Sequence, residues 1–392
     1  MTAATPDYRL LAALLGVVQI LTWGSSFYLL AILAPPIVQD TGWSAFAVTG
    51  GISIALATSA LMAGTVGREI NRRGGRLVLC AGVGVMILGL VALALAPSLP
   101  VYILAWVVIG AAMAATLYEA AFSMLSQVFG GEARRAITSL TLIGGFSATI
   151  CWPLSALLVE AIGWRGTCAA YAGLHLLVTL PICRFGLPQP AVKTPETAEA
   201  TDDTDDTAPI PWRDPRLLAV AIAGVCLVFI FSAMAMHLPS LLMAQGHTLA
   251  QAAALGAVIG PSQVGARLIE MLGGGRHSPV TTMVVSTLCV AAGLLSLSLS
   301  APAALCLITY GMGLGLWTIA RGTVPLGLFG PKPYAATMAR LALPVLTVSA
   351  LAPLVGLGML PALGPTGTLL ALTAIACVPL ALSLFLWRQR PR

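Results

Sequence analysis

At 392 residues, with 58% hydrophobic and only 9% charged side chains and a mean hydropathy of +0.94, the chain is too apolar for a water-soluble globule. That excludes a soluble enzyme or a soluble nucleic-acid-binding module as its framework. The net charge of +6 is carried by loops and reads as membrane orientation, not as nucleic-acid binding.

A helix needs roughly 20 apolar residues to cross about 30 Å of hydrocarbon. Such runs occur at 11–34, 43–66, 77–96, 101–128, 136–160, 166–187, 216–243, 249–271, 280–299, 303–328, 335–359 and 365–387. Run 1 is too long for a cleavable signal peptide and contains no small-residue processing site, so it reads as the first spanning helix. None of the runs shows the ten-residue alternation of a membrane barrel, and in lipid the backbone must bond within each segment. The expected fold is an all-α integral membrane protein with twelve transmembrane helices.

Run 1 carries Gln19, Trp23 and Tyr28, with Gln19 and Trp23 one turn apart on one face. The turn after run 2 reads GREINRRGGR and holds Arg68, Asn71, Arg72 and Arg76. Run 4 contains AMAATLYEAAFSML, where Tyr118 adjoins an isolated carboxylate, Glu119. Glu119 lies ten residues before Phe129-Gly130, or about 15 Å at 1.5 Å per residue, close to mid-membrane and expected away from bulk water. Run 5 places Trp152 before Pro153, and the Gly144-Gly145 pair upstream reads as close helix packing. His175 in run 6 reads as an interhelical hydrogen-bonding residue.

A segment rich in Pro, Thr and acid then intervenes, with six acids between Glu196 and Asp206. It reads as a flexible linker over 188–215 between a bundle at 1–187 and a second at 216–392. Run 7 carries Met234, Met236 and His237 just before Pro239, with Met243 beyond; run 8 carries Gln263 and leads into ARLIEMLGGGR, with Arg267 and Glu270. Run 10 holds Trp317 and Arg321, the latter eight residues before Phe329-Gly330, or about 12 Å by the same rise. The eight cysteines show no CxxC spacing and read as small core residues.

Basic residues cluster after the even-numbered runs, at Arg68, Arg72, Arg73, Arg76, Arg134, Arg135, Lys193, Arg213, Arg216, Arg276, Lys332, Arg388, Arg390 and Arg392; the opposite loops hold only Arg165. The positive-inside rule therefore places both termini in the cytoplasm. The halves also match: Arg68 with Arg267, Asn71 with Glu270 and Gly74 with Gly273 at an offset of 199, and Phe129-Gly130 with Phe329-Gly330 and Pro153 with Pro353 at 200. Two pseudo-symmetric six-helix bundles with parallel repeats are the plan of a carrier that rocks about a midplane site.

The twelve runs, the linker and the turn Gly67, Asn71, Arg72, Gly74 and Arg76 resemble the major facilitator superfamily over essentially the whole chain. Asn71 stands where the family has an acid and Gly75 where it has a basic residue, so Glu69 or Glu270 is the alternative latch. The resemblance implies gating roles for Arg68, Asn71, Arg72, Arg76, Arg267 and Glu270, and a central cavity lined by helices 4, 7 and 10.

An ionisable side chain in hydrocarbon costs at least ~2.5–3.5 kcal/mol and usually faces a cavity or a partner. A guanidinium suits a carboxylate or oxyanion bidentately, and a carboxylate in a low-dielectric cavity takes up a proton more readily. Arg321 is thus the expected anion-binding residue and Glu119 the expected proton carrier, the alternative being a structural ion pair between them. His237, Trp23, Gln19, Tyr28, Tyr118, Trp152, Gln263 and Trp317 are the expected pocket residues.

No P-loop, zinc motif or nucleophile triad occurs, so neither an enzyme nor a cofactor is expected. The expected function is secondary active transport by alternating access, moving a small organic anion with protons, in a monomer set in the lipid bilayer of a bacterial inner membrane. Proton-driven efflux of a hydrophobic or cationic compound is the alternative, with aromatic rings stacking on the cation. Copper uptake is another: the run around Met234, Met236 and His237 is similar to a copper-importing branch of the family, but Met-x3-Met and His-x3-Met spacings are missing there. A sensor or scaffold on a carrier fold is the reading from a different class.

Overall fold

The computed structural model describes residues 7–130, 133–188, 210–272, 277–330 and 334–389, and among them every regular element is helical. The chain divides into two compact units, Met1–Asp202 and Asp203–Arg392. Most of the predicted linker lies outside the described residues, as do Lys193, Gly273, Arg276, Lys332, Arg390, Arg392 and the side chain of Arg134.

In the first unit the helices are α1 (Tyr8–Gly24), α2 (Leu29–Thr41), α3 (Ala45–Arg73), α4 (Gly75–Ala94), α5 (Leu99–Thr116), α6 (Tyr118–Phe129), α7 (Ala133–Gly144) and α8 (Ser147–Leu174). Two wider-wound π-type turns, His175–Thr179 and Ile182–Gly186, continue α8. Polar side chains start the helices where the chain enters them: Asp7 accepts from the Arg9 N–H at 2.9 Å, and Ser44 from the Ala47 N–H at 3.2 Å. The core of this unit gathers Leu15, Val18, Leu79, Val83, Met124 and Leu140.

The second unit comprises α9 (Pro215–Ala244), α10 (Leu249–Ala257), α11 (Ile259–Leu272), α12 (Pro279–Ser298), α13 (Ala303–Phe329) and α14 (Tyr334–Arg388). Asp214 caps α9 through the Arg216 N–H at 2.8 Å, and its hydrogen bonds from the Arg216 side chain hold its carboxyl below the usual carboxylate range. Thr248 and Gln251 form a reciprocal capping box at the start of α10. Leu217, Ala223, Met283, Ala320 and Val324 lie in the core of this unit.

Ten helical runs among the described residues are long and apolar enough to cross a membrane. Twelve were predicted, and the difference lies at two glycines. Predicted runs 5 and 6 fuse into Arg135–Gly186 (52 residues), and runs 11 and 12 into Arg340–Arg388 (49 residues). Each is far longer than the roughly 20 residues of one crossing. Inside them Gly163 (φ 69°, ψ 176°) and Gly364 (φ 69°, ψ 177°) leave helical geometry. The expected polar loop is replaced by one positive-φ residue, a conformation that a Cβ opposes.

Four predicted runs are interrupted, run 5 among them at 145–146 between α7 and α8. Run 1 breaks at 25–28, where the Ser26 hydroxyl bonds back to the Thr22 carbonyl. Run 4 breaks at Leu117. Run 8 breaks at Val258, three residues before Pro261, which has no N–H for the Ala257 carbonyl.

Glycine sets the closest helix contacts in both units. A Cβ on Gly110 of α5 would lie 2.5 Å from the Ala55 carbonyl oxygen of α3, and one on Gly311 of α13 would lie 2.9 Å from the Ile259 carbonyl oxygen of α11. Gly110 and Gly311 are 201 residues apart, as are Gly163 and Gly364.

Candidate functional site

The break in predicted run 4 organises the first unit. α5 ends at Thr116 and α6 restarts at Tyr118 across one extended residue, Leu117 (φ −78°, ψ −170°). The sequence there, TLYEA, contains neither Gly nor Pro. A helix end leaves carbonyls without intrahelical donors, and α1 supplies one. Gln19 Nε2 donates to the Thr116 carbonyl at 2.7 Å, while Gln19 Oε1 accepts from Trp23 Nε1 at 3.2 Å. Gln19 is fully buried, so its amide joins α1 to the break and orients Trp23.

An aromatic cluster surrounds that amide. The Trp23 ring lies 5.4 Å from Tyr118, 6.1 Å from Tyr28 and 5.3 Å from Phe27 between centroids. Tyr28 meets Trp152 edge-on at 5.8 Å, and Tyr118 stacks on Phe122 at 5.3 Å. Small residues make this assembly possible: Gly144 lies against the Tyr118 hydroxyl and Gly24 against Cys151, where any Cβ would collide. Five predicted residues, Gln19, Trp23, Tyr28, Tyr118 and Trp152, therefore come together. Phe27 and Phe122 join them without having been predicted; Phe122 was legible as the (i, i+4) neighbour of Tyr118.

Trp152 is only 2% exposed, and its indole N–H has no acceptor among the described residues. A buried donor of that kind is open to a polar group on a ligand or to water. Trp23, Tyr28 and Tyr118 are half-buried.

Glu119 stands in the first turn of α6, where the helix dipole favours negative charge. Its side chain is exposed, and among the described residues its carboxylate makes no hydrogen bond or ion pair. The break turns Glu119 away from the packed core, whose side of α6 is taken by Ala120, Ala121, Met124 and Leu125.

In the second unit Trp317 and Arg321 are one turn apart on α13. Trp317 is half-buried beside Gly224 of α9, and Arg321 is exposed and makes no hydrogen bond or ion pair among the described residues. Gln263 of α11 accepts from Arg267 Nη2 at 3.2 Å, and the same nitrogen donates to Thr318 Oγ1 at 3.0 Å. Arg267 was predicted from its turn as a gating residue, yet it is only 8% exposed and reaches across to α13. Its contact residue, Thr318, is three positions before Arg321.

His237 Nε2 bonds the Pro353 carbonyl at 2.7 Å, and its ring lies over Gly356, so it ties α9 to α14. Met234 and Met236 beside it are buried, whereas Met243 is exposed. His175 spends both ring nitrogens locally, on Ser25 Oγ at 2.7 Å and Thr179 Oγ1 at 2.8 Å. Among the described residues no group of three or more His, Cys, Asp or Glu gathers as a metal site.

At the predicted gating turn, Glu69 pairs with Arg72 at 3.2 Å and Arg73 at 2.7 Å. Arg68 donates to Thr65 Oγ1 at 3.0 Å; Asn71 is exposed and Arg76 half-buried. Exposed pairs of this sort are worth about 0–1 kcal/mol. The turn is braced by Gln127 of α6, which accepts from the Gly75 N–H at 3.1 Å and donates to the Ile70 carbonyl at 2.9 Å. Glu270 accepts from the Thr282 hydroxyl and makes no ion pair with Arg267.

A family model described as the Major Facilitator Superfamily matches residues 15–343. A comparison with curated protein sequences finds no match. Among solved structures, a bacterial homolog of the human lysosomal transporter Spinster, inward-facing and occupied, is similar with a TM-score of 0.73 at 16% identity, covering 100% of this chain and 98% of that one. The inward-facing and unoccupied form gives 0.67 at 16% identity over 98% and 96%. A variant of the nucleoside transporter NupG gives 0.72 at 14% identity over 97% and 99%. At such identities the likeness is one of fold.

Proposed function

The chain belongs to the Major Facilitator Superfamily, and we propose that it is a secondary active transporter moving a small organic anion together with protons by alternating access. Arg321 holds the anion and Glu119 carries the proton. The observation that carries this reading is the state of those two residues. Each lies part-way along an apolar helical run, Leu99–Phe129 or Ala303–Phe329, and each is exposed with no ion pair among the described residues. A charge kept at such a position without a structural partner is a functional group by default.

Twelve spans in two pseudo-symmetric six-helix bundles, at 1–187 and 216–392 with 188–215 as linker, complete the proposal. The breaks at Gly163 and Gly364, which divide the two longest helical runs, support that count. The arginines of the turn at 68–76 and of the segment at 213–216 support a cytoplasmic placement of both termini in a bacterial inner membrane. Arg68, Asn71, Arg72, Arg76, Arg267 and Glu270 are proposed to act in gating, and the carrier to work as a monomer.

Efflux of a hydrophobic or cationic compound is the second reading, favoured by the cluster of Trp23, Tyr28, Tyr118 and Phe122 that adjoins Glu119. Thermal stabilisation of the purified protein by organic anions, lipophilic cations and Cu(I), repeated on Glu119→Gln and Arg321→Ala, separates the readings. An anion that stabilises the wild type and loses its effect with Arg321→Ala supports the first. Stabilisation by cations alone, indifferent to Arg321→Ala, overturns it.

A further inference from the structure

Four helices of the second unit line a half-open cavity of about 340 Å³ at one common end. Arg216 lies in the first turn of α9, Ser278 precedes α12, Gly327 is two residues from the end of α13, and Gln389 follows α14. The cavity therefore lies at the shared end of these apolar helices, its nearest α13 residue, Val324, standing three residues beyond Arg321, which is not in the lining. Its lining is divided. Val280, Val324, Leu328 and Leu386 make apolar walls, and Arg216, Ser278 and Gln389 supply the polar groups.

Arg216 is held in place by its neighbours. Its Nε and Nη2 bond the Asp214 carboxylate at 3.3 and 3.0 Å, and its guanidinium carbon lies 5.6 Å from the centre of the Phe329 ring. Nη1 makes no bond among the described residues and remains a donor. Asp214 offsets one charge, while Arg340, whose Nη1 donates to the Ile210 carbonyl at 3.0 Å, and Arg388, which adjoins the lining residue Gln389, add positive charge at this end. Trp212, exposed beside Arg213, is the type of residue that settles at headgroup level.

We propose that this cavity binds one anionic phospholipid, with its phosphate on Arg216 and the first part of its acyl chains against Val280, Val324, Leu328 and Leu386. A basic group over apolar walls between transmembrane helices matches the two halves of such a lipid. The volume falls in the range of small-ligand sites. The site requires membrane insertion but is independent of the anion and proton reading of transport.

Native mass spectrometry of the full-length protein in detergent tests it, with phosphatidylglycerol and phosphatidylcholine titrated in parallel. Phosphatidylglycerol binds more tightly, and Arg216→Gln lowers its affinity about fivefold, whereas Arg213→Gln, whose side chain is outside the cavity, keeps it. Gly327→Leu is the second variant: a Cβ there meets only Pro279, at 3.5 Å, so the added side chain fills the cavity while Arg216 stays. It also weakens the lipid, with the melting temperature of each variant checking the fold. Equal binding of the two lipids overturns the proposal, as does an equal loss with Arg213→Gln, or undiminished binding in Arg216→Gln and Gly327→Leu. Displacement of the lipid by inorganic phosphate would mark a phosphate site and overturn it as well.

Discussion

Gln19 of α1 donates its amide to the carbonyl of Thr116 at 2.7 Å, 97 residues further along the chain, and so seals the break that sets Glu119 at the head of a new helix. An interruption without Gly or Pro persists when a side chain replaces the lost backbone partner. The same amide orients Trp23.

Replacing Gln19 with Leu keeps the volume close but leaves the Thr116 carbonyl and the Trp23 indole without their bonds. A buried group left unsatisfied costs roughly 1–3 kcal/mol. Gln19→Leu is expected to lower the thermal midpoint of the purified protein, whereas Phe122→Leu, which removes a ring but no hydrogen bond, lowers it less. Fluorescence-detected melting of both variants checks the order.

Glu119→Gln removes the proton-carrying group and preserves shape. Proton-driven uptake into proteoliposomes is expected to fail, while exchange of labelled for unlabelled substrate without a gradient persists. Loss of both activities would place Glu119 in binding and not in coupling.

The close approaches at Gly110 and Gly311 meet backbone atoms that cannot rotate away. Gly→Ala in a helix otherwise gains about 0.5–1 kcal/mol, but overpacking costs typically 1–3 kcal/mol. Gly110→Ala and Gly311→Ala are therefore both expected to destabilise, and Gly84→Ala, where a Cβ meets nothing within 4 Å, to be neutral or stabilising. Denaturation midpoints of the three variants decide it.

Trp152→Phe deletes a buried N–H that lacks an acceptor among the described residues. Lost ring volume destabilises and the removed unmet donor stabilises, so the melting temperature is expected to change little. Substrate affinity is expected to fall about tenfold, the equivalent of one hydrogen bond of about 1.4 kcal/mol. Calorimetric titration of any substrate found by the thermal screen measures it.

Membrane insertion and the all-α class were legible in the sequence because lipid imposes one requirement on every spanning residue, and that requirement shows as composition and run length; the family was legible through the resemblance carried by the turn Gly67, Asn71, Arg72, Gly74 and Arg76. The local pairs were legible for the same kind of reason: Gln19 and Trp23 share a helix face by spacing alone. What tertiary structure decided depends on partners distant in sequence. The break at Leu117 exists because an amide from α1 reaches it; Gly163 and Gly364 replace loops because one positive-φ residue suffices to restart a helix. Arg267 looked like a turn residue and is buried against Thr318, 51 residues away, because which face of a helix meets its neighbours is set by packing between helices that one helix's own sequence does not contain.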